Sequence, residues 1–371
     1  MQTNDIQPLI AVSRKYGADS RFVLLGGGNT SFKTDSVMYV KASGHALGNI
    51  GKDGFVAMDR EKLNAIWEKQ YAEDVDERER SVLADMMDAR NPGETARPSV
   101  EALLHSFIPF AYVVHMHPAM VNGLTCAQSG KESMERLFPE ALWIPLVNPG
   151  YILAKVVRDA QSVYIEKRGK APQVIFLQNH GVFVSADTIE EIDSLYTHIM
   201  ETLSRSIIRK PNFTKSRIDQ DRVALVQQAM SAHFGGQQAY PMVANHELES
   251  RLVDRETFTS LASAYTPDHI VYSGFKPLWV ELSVFDSERP VEEIIARFKR
   301  YESDYGVPAK VIAVQQTAGF ATSESAMTLF IDTVKVAAFT ESFGGPRFMD
   351  DDQIEFIRSW EVEQYRANVQ R

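Results

Sequence analysis

Three observations predict an α/β protein built as two domains. Short apolar runs rich in β-branched and aromatic residues recur along the chain, as in Val174-Ile175-Phe176-Leu177 and Val311-Ile312-Ala313-Val314, and such runs read as strands. Stretches with apolar residues at helical spacing lie between them. The break at Lys210-Pro211-Asn212 separates a first domain, 1–210, from a smaller C-terminal α/β domain, 211–371. With 371 residues, 44% of them hydrophobic and 24% charged, the chain can build two cores.

A helix is expected at 6–16, then an extended run Phe22-Val23-Leu24-Leu25, and Gly26-Gly27-Gly28-Asn29-Thr30-Ser31 as the turn of a hairpin returning at 37–41. Successive glycines let neighbouring amide N–H groups face one concavity and hold an anion. Lys41-Ala42-Ser43-Gly44 repeats that offer with a cation and a hydroxyl. No Gly-Lys-Ser/Thr closes a P-loop, and Ser31 stands where a dinucleotide fingerprint needs its third glycine. Dense charge with helical periodicity at 59–90 predicts one or two amphipathic helices. Arg97-Pro98-Ser99 reads as a helix start with Ser99 as N-cap, placing Glu101 in the first turn and His105 on the same face.

The sequence is organised around Tyr112-Val113-Val114-His115-Met116-His117-Pro118. Residues two apart on a strand share a face, so His115 and His117 can converge on one transition metal ion, for which neutral imidazole is the commonest ligand. A bare His-x-His is equally compatible with a sheet face that binds nothing. A helical stretch, a short strand at 143–147 and a helix at 152–167 follow. The next strand ends at Asn179-His180-Gly181, where a histidine beside glycine suits a ligand aimed into a site better than a packed side chain. Glu101, on the element leading into the His-x-His strand, can act as a ligand or general base, and His105 reads as a histidine supporting the site rather than ligating. A helix at 187–204 closes this domain. In the second domain, helices are expected at 218–234, 291–305 and 323–343, and strands at 270–272, 278–282 and 311–314. No internal repeat is evident, and Asp350-Asp351-Asp352 reads as a solvated turn or helix start.

A net charge of -10 with scattered Lys and Arg argues against a nucleic acid partner. No apolar h-region or 18-residue apolar stretch is present, so a cytoplasmic protein without membrane spans is expected. The single cysteine, Cys126, cannot form an internal disulfide and is expected to pack.

Together, Gly28-Asn29-Thr30-Ser31, Ser43-Gly44, Ser99-Val100-Glu101, His105, His115-Met116-His117-Pro118 and Asn179-His180-Gly181 resemble the class II aldolase/adducin family. The wording is most similar to the aldolase portion of bifunctional rhamnulose-1-phosphate aldolase/alcohol dehydrogenases. That likeness extends to Thr266-Pro267-Asp268-His269 and Trp360-Glu361-x-Glu363-x-Tyr365. The resemblance implies a three-layer α/β/α fold around a mainly antiparallel sheet and a homo-oligomer, with a tetramer favoured. It also implies zinc or another divalent ion on His115, His117 and His180, a phosphate on Gly28, Asn29, Ser43, Gly44 and Ser99, and a phosphorylated sugar as substrate. The implied reaction is retro-aldol cleavage of a ketose 1-phosphate, L-rhamnulose 1-phosphate first, to dihydroxyacetone phosphate and lactaldehyde, with Glu101 moving the proton at C3. Val100 stands where some relatives carry a second serine, and Lys41 can compensate; Tyr151 is a candidate for the aldehyde-side oxygen. A sugar-phosphate 4-epimerase of the ribulose 5-phosphate type and a non-catalytic adducin-like module remain as alternatives.

Overall fold

A computed structural model describes residues 5–236 and 239–360. They fall into two compact units. The first runs to Thr125 and again over Ser129–Ser206; the second takes Cys126–Gln128 and Ile207–Ser359.

In the first unit, α1 (Gln7–Gly17) precedes a hairpin of β1 (Asn29–Lys33) and β2 (Val37–Lys41), then β3 (Phe55–Asp59). The helices α2 (Arg60–Ala65) and α3 (Val75–Asp88) follow, capped by the carboxylates of Asp59 and Asp74. Next come α4 (Ala102–Phe107), β4 (Tyr112–Met116), α5 (Ala119–Thr125), α6 (Gly130–Leu137), β5 (Leu142–Ile144), α7 (Tyr151–Arg168), β6 (Val174–Leu177), β7 (Gly181–Ala186) and α8 (Ile189–Ser206). The seven strands form one sheet in the order β3-β2-β1-β4-β7-β6-β5. Every pairing is antiparallel except β5 with β6. One face is covered by α2, α3, α4 and α7 through Leu63, Val82, Leu104 and Val157 packed on Met38, Val56, Val113 and Phe183. The other carries α1 and α8, where Tyr16 and Tyr196 meet edge to face with Phe22. This is the expected three-layer arrangement with a mainly antiparallel sheet.

Two expectations in this unit change. The glycine run does not join two strands: Leu25 (φ 51) and Gly28 (φ 66) break the extended run, and the turn lies instead at 34–36. Gly28 is required there, because a Cβ would come within 2.8 Å of the His115 carbonyl oxygen. The helix expected with Ser99 as its N-cap begins two residues later, with Glu101 at that position. Ser99 N–H bonds the Lys41 carbonyl (2.9 Å), and Ser43 N–H bonds the Arg97 carbonyl (2.8 Å). The segment is thereby tied to the end of β2 in extended form before the helix can start.

In the second unit, α9 (Gln220–Phe234), β8 (Met242–Val243), α10 (His246–Glu249), α11 (Arg255–Phe258), α12 (Pro267–Ser273), β9 (Leu278–Val280), α13 (Pro290–Tyr305), β10 (Val311–Val314), β11 (Ala318–Ala321), α14 (Glu324–Thr340) and α15 (Asp351–Ser359) follow in order. The sheet runs β8-β11-β10-β9, with only β9 and β10 parallel. Ile270-Val271-Tyr272, expected as a strand, lies inside α12. Thr266 caps that helix by accepting from His269 N–H, and Pro267 opens it, a start signal that outweighs three β-formers. His269 is buried against Asp332 (3.2 Å). Glu361, Glu363 and Tyr365 lie outside the described residues. Among the described residues, no helix is long and apolar enough to cross a membrane.

Lys33, on β1, is only 5% exposed and donates to the His105 carbonyl (2.7 Å). Burial, reinforced by Arg60 and opposed by Asp187, lowers its pKa to about 7. The unfolded chain therefore binds more protons between pH 7 and 10.5, and stability gains with pH across that window, by roughly 1.4 kcal/mol per unit. Lys33→Met should lack this slope in urea unfolding measured at several pH values; parallel wild-type and variant curves would contradict it.

Candidate metal centre

The pleat of β4 puts His115 and His117 on one side of the chain as it leaves the sheet. The turn between β6 and β7 brings His180 to them. In that turn Asn179 takes a left-handed backbone (φ 56), and His180 N–H closes on the Leu177 carbonyl (3.2 Å), so the next residue, Gly181, starts the return strand. Gly181 is demanded by proximity, since a Cβ there would meet the Met116 carbonyl at 2.6 Å and the His117 ring at 2.7 Å. The ligand-capable ring nitrogens of His115, His117 and His180 lie within 4.8 Å of one another. Those of His115 and His117 are 2.9 Å apart. Two nitrogens held tetrahedrally about 2 Å from one ion lie roughly 3.3 Å apart, so the group is near a ligating geometry.

Contacts around the rings set their tautomers. His115 Nδ1 faces the Val182 carbonyl at 3.1 Å, and a carbonyl only accepts, so Nδ1 carries the proton and Nε2 is left with its lone pair. Phe183 stacks on the same ring (4.0 Å, 14°). Burial holds the His115 pKa well below its usual value, which keeps the imidazole neutral as a ligand must be.

Glu101, 6% exposed, reaches this group with one oxygen 3.5 Å from His115 Nε2 and the other 3.7 Å from His180 Nε2. Burial alone would raise its pKa, but His115 and His180, the Asn29 hydrogen bond and His117 outweigh it and hold it at about 2. Its Oε2 accepts from the Asn29 amide (2.5 Å), whereas Oε1 is buried without a hydrogen-bond partner. A buried carboxylate oxygen left bare beside three convergent imidazoles is costly unless a cation completes it. The residues present therefore fit a divalent metal ion, with His115, His117 and His180 as its holders and Glu101 beside it.

His105 supports Glu101 indirectly. It is buried, and burial together with Lys33 lowers its pKa to about 3, so the ring is neutral. Its Nε2 bonds the Asn29 carboxamide oxygen and its Nδ1 bonds Ser31 Oγ (2.7 Å). The amide oxygen can only accept, so Nε2 donates to it and Ser31 donates to Nδ1. That fixes which way Asn29 faces, and its NH2 group is delivered to Glu101.

The other expected residues surround this core. Ser99 Oγ accepts from Glu101 N–H (3.3 Å), and the Lys41 and Ser43 backbone contacts already described bring the second loop alongside; Gly44 takes φ 86. Tyr151 packs elsewhere, its ring against Trp67 and Tyr71 and its N–H on Glu79 (3.1 Å). The roles of Ser31 and Phe183 were not evident from the sequence. Each is an ordinary strand residue, and only strand pairing across β1, β4 and β7 places them at the histidines.

Replacing Asn29 with Leu would strip the remaining hydrogen bond from a buried carboxylate. Urea unfolding of the metal-free variant should show a loss of about 2–3 kcal/mol; an unchanged midpoint would mean that Asn29 does not carry Glu101.

Residues 7–207 match the model of the family described as Class II Aldolase and Adducin N-terminal domain. A Bacillus subtilis protein named "Uncharacterized oxidoreductase YuxG" is 27% identical over 247 residues, 64% of this chain and 32% of that protein. The match thus spans about a third of the curated relative's length. Among solved structures, the N-terminal class II aldolase domain of a conserved protein from Thermoplasma acidophilum is 26% identical, covering 55% of this chain and 95% of that one, with a TM-score of 0.46. An L-fuculose-1-phosphate aldolase from Thermus thermophilus is 16% identical, covering 54% and 94%, with a TM-score of 0.35. With more than half of its residues matched by the family model, the chain belongs to the class II aldolase and adducin family.

Proposed function

We propose that this chain is a metal-dependent class II aldehyde-lyase that cleaves a ketose 1-phosphate, with L-rhamnulose 1-phosphate as the preferred substrate, to dihydroxyacetone phosphate and lactaldehyde. In this reading residues 1–210 are the catalytic domain, and the protein works in the cytoplasm as a homo-oligomer, a tetramer in the favoured form. The observation that carries it is the bare Oε1 of Glu101 facing three convergent imidazoles. His115, His117 and His180 would hold zinc or another divalent ion, which when bound supplies Lewis acidity at the substrate's oxygens.

Breaking the C3–C4 bond turns the C4 hydroxyl into the aldehyde, so a proton leaves that oxygen while the electron pair left on C3 takes one up. The reverse reaction returns a proton to the C4 oxygen and removes the one on C3. Glu101, ionised and held by Asn29, is in the state required to take it. Gly28, Asn29, Ser43, Gly44 and Ser99 would receive the phosphate, with Lys41 as the nearby cation. One hydrogen of the Asn29 amide is committed to Glu101, which leaves the second for a substrate oxygen. Tyr151, engaged with Trp67 and Tyr71, is a poor fit to the aldehyde side.

Zinc-loaded protein should release dihydroxyacetone phosphate from L-rhamnulose 1-phosphate, and both chelation and His115→Ala should abolish release. Glu101→Gln should retain its metal and lose at least about a hundredfold in turnover. Zinc retained without release would sink this substrate; epimerisation of a pentulose 5-phosphate instead would make the protein an epimerase with the same metal site.

A further inference from the structure

The second unit repeats the strand order, strand directions and two long helices of the part of the first that presents the histidines. In the first, β4 pairs antiparallel with β7, β7 with β6, and β6 runs parallel to β5. In the second, β8, β11, β10 and β9 follow the same order with the same directions. Each copy sends one long helix, α7 or α13, from its parallel edge strand. That helix ends at a left-handed glycine, Gly169 (φ 70) or Gly306 (φ 72), whose N–H bonds the carbonyl four residues back at 2.8 Å in both. Each closes with another long helix, α8 or α14.

From these glycines onward the two segments align without a gap: Val174 with Val311, Ile175 with Ile312, Gln178 with Gln315 and Phe183 with Phe320. Leu142-Trp143 likewise matches Leu278-Trp279, with Leu142 paired to Ile175 and Leu278 to Ile312. Irregular contacts, which a shared topology does not require, are repeated too. Tyr164 donates to the Glu140 carbonyl (2.8 Å) and Tyr301 to the Lys276 carbonyl (2.7 Å). Gln178 N–H reaches Ile144 (3.0 Å), and Gln315 N–H reaches Val280 (2.9 Å). Ser185 Oγ bonds Gln173 (3.2 Å), and Thr322 Oγ1 bonds Lys310 (3.4 Å). The turn residue is left-handed in both, Asn179 (φ 56) and Gln316 (φ 50), although neither is glycine.

This correspondence locates the metal positions in the second copy. His115 pairs with Phe183, and Met242 pairs with Phe320. Two residues on, Ala244 stands for His117. After the left-handed turn residue, Thr317 stands for His180, with its N–H on Val314 (3.1 Å) as His180 N–H is on Leu177. None of the three substitutes is a nitrogen ligand, and Met242 and Ala244 pack on the core with Phe320.

We infer that the second unit is a degenerate copy of the histidine-bearing module, with a vestigial metal site at Met242, Ala244 and Thr317. Among the described residues, the second unit therefore contributes no further metal centre of this kind. The inference rests on the assignment of His115, His117 and His180 as metal holders.

The test is to rebuild the lost site in the full chain as Met242→His/Ala244→His/Thr317→His and to count bound zinc, with cobalt absorption as a second readout. Wild type should bind one zinc per chain, and the folded triple variant two. A folded triple variant that stays at one beside a zinc-loaded wild type overturns the correspondence. Should the triple variant fail to melt cooperatively, Met242→His/Thr317→His is read by copper paramagnetic resonance, where an added copper signal supports the inference and its absence overturns it. A wild type that takes up no zinc overturns the assignment of the first site, and this inference with it.

Discussion

The structure of the first unit turns on one buried carboxylate. Glu101 is enclosed, ionised and satisfied at only one oxygen, a state that an apolar interior would expel. It is sustained from two sides. His180 lies 3.7 Å from the bare oxygen and His115 3.5 Å from the other, which His105, through Asn29, also holds. Ser31, His105, Asn29 and Glu101 form one directed hydrogen-bond chain, and a connected buried polar network of this kind rigidifies a site.

The sheet supplies the precision. β1, β4 and β7 are neighbours, so Asn29, His115 and Phe183 stand across from one another in register. Strand pairing fixes such positions more tightly than a loop could. The two departures from regularity, the Gly28 loop and the turn at Asn179, are where the chain comes closest to the histidines. There a side chain would collide with the carbonyl oxygens of His115 and Met116. Glycine is used for approach as much as for flexibility.

The second unit shows how much of such a module belongs to its frame. Its helix cap, tyrosine anchor, turn geometry and strand register all match those of the first unit, while the chemistry-bearing side chains do not. Hydrogen bonds made by the backbone tolerate almost any side chain, so the same frame recurs where Met242, Ala244 and Thr317 stand at the positions of the three histidines. Few identities survive, which is why the repeat is invisible to inspection of the sequence and plain in the pairing pattern.

The sequence by itself determined the α/β class, most helices and the pairing of His115 with His117, because a period of two on a strand is a local property. His180 stood out for a different local reason, because a histidine beside glycine at a kink in an apolar strand is a poor choice for packing. Tertiary structure decided the rest. Glu101 precedes its helix rather than lying in it, because Ser43 and Ser99 are tied to Arg97 and Lys41 across the chain. Ile270-Val271-Tyr272 is helical because Thr266 and Pro267 start a helix there despite strand-forming side chains. Asn29 and His105 meet because β1 and α4, distant in sequence, pack together. Local periodicity shows which side chains share a face; which faces meet is settled only when the sheet pairs and its helices cover it.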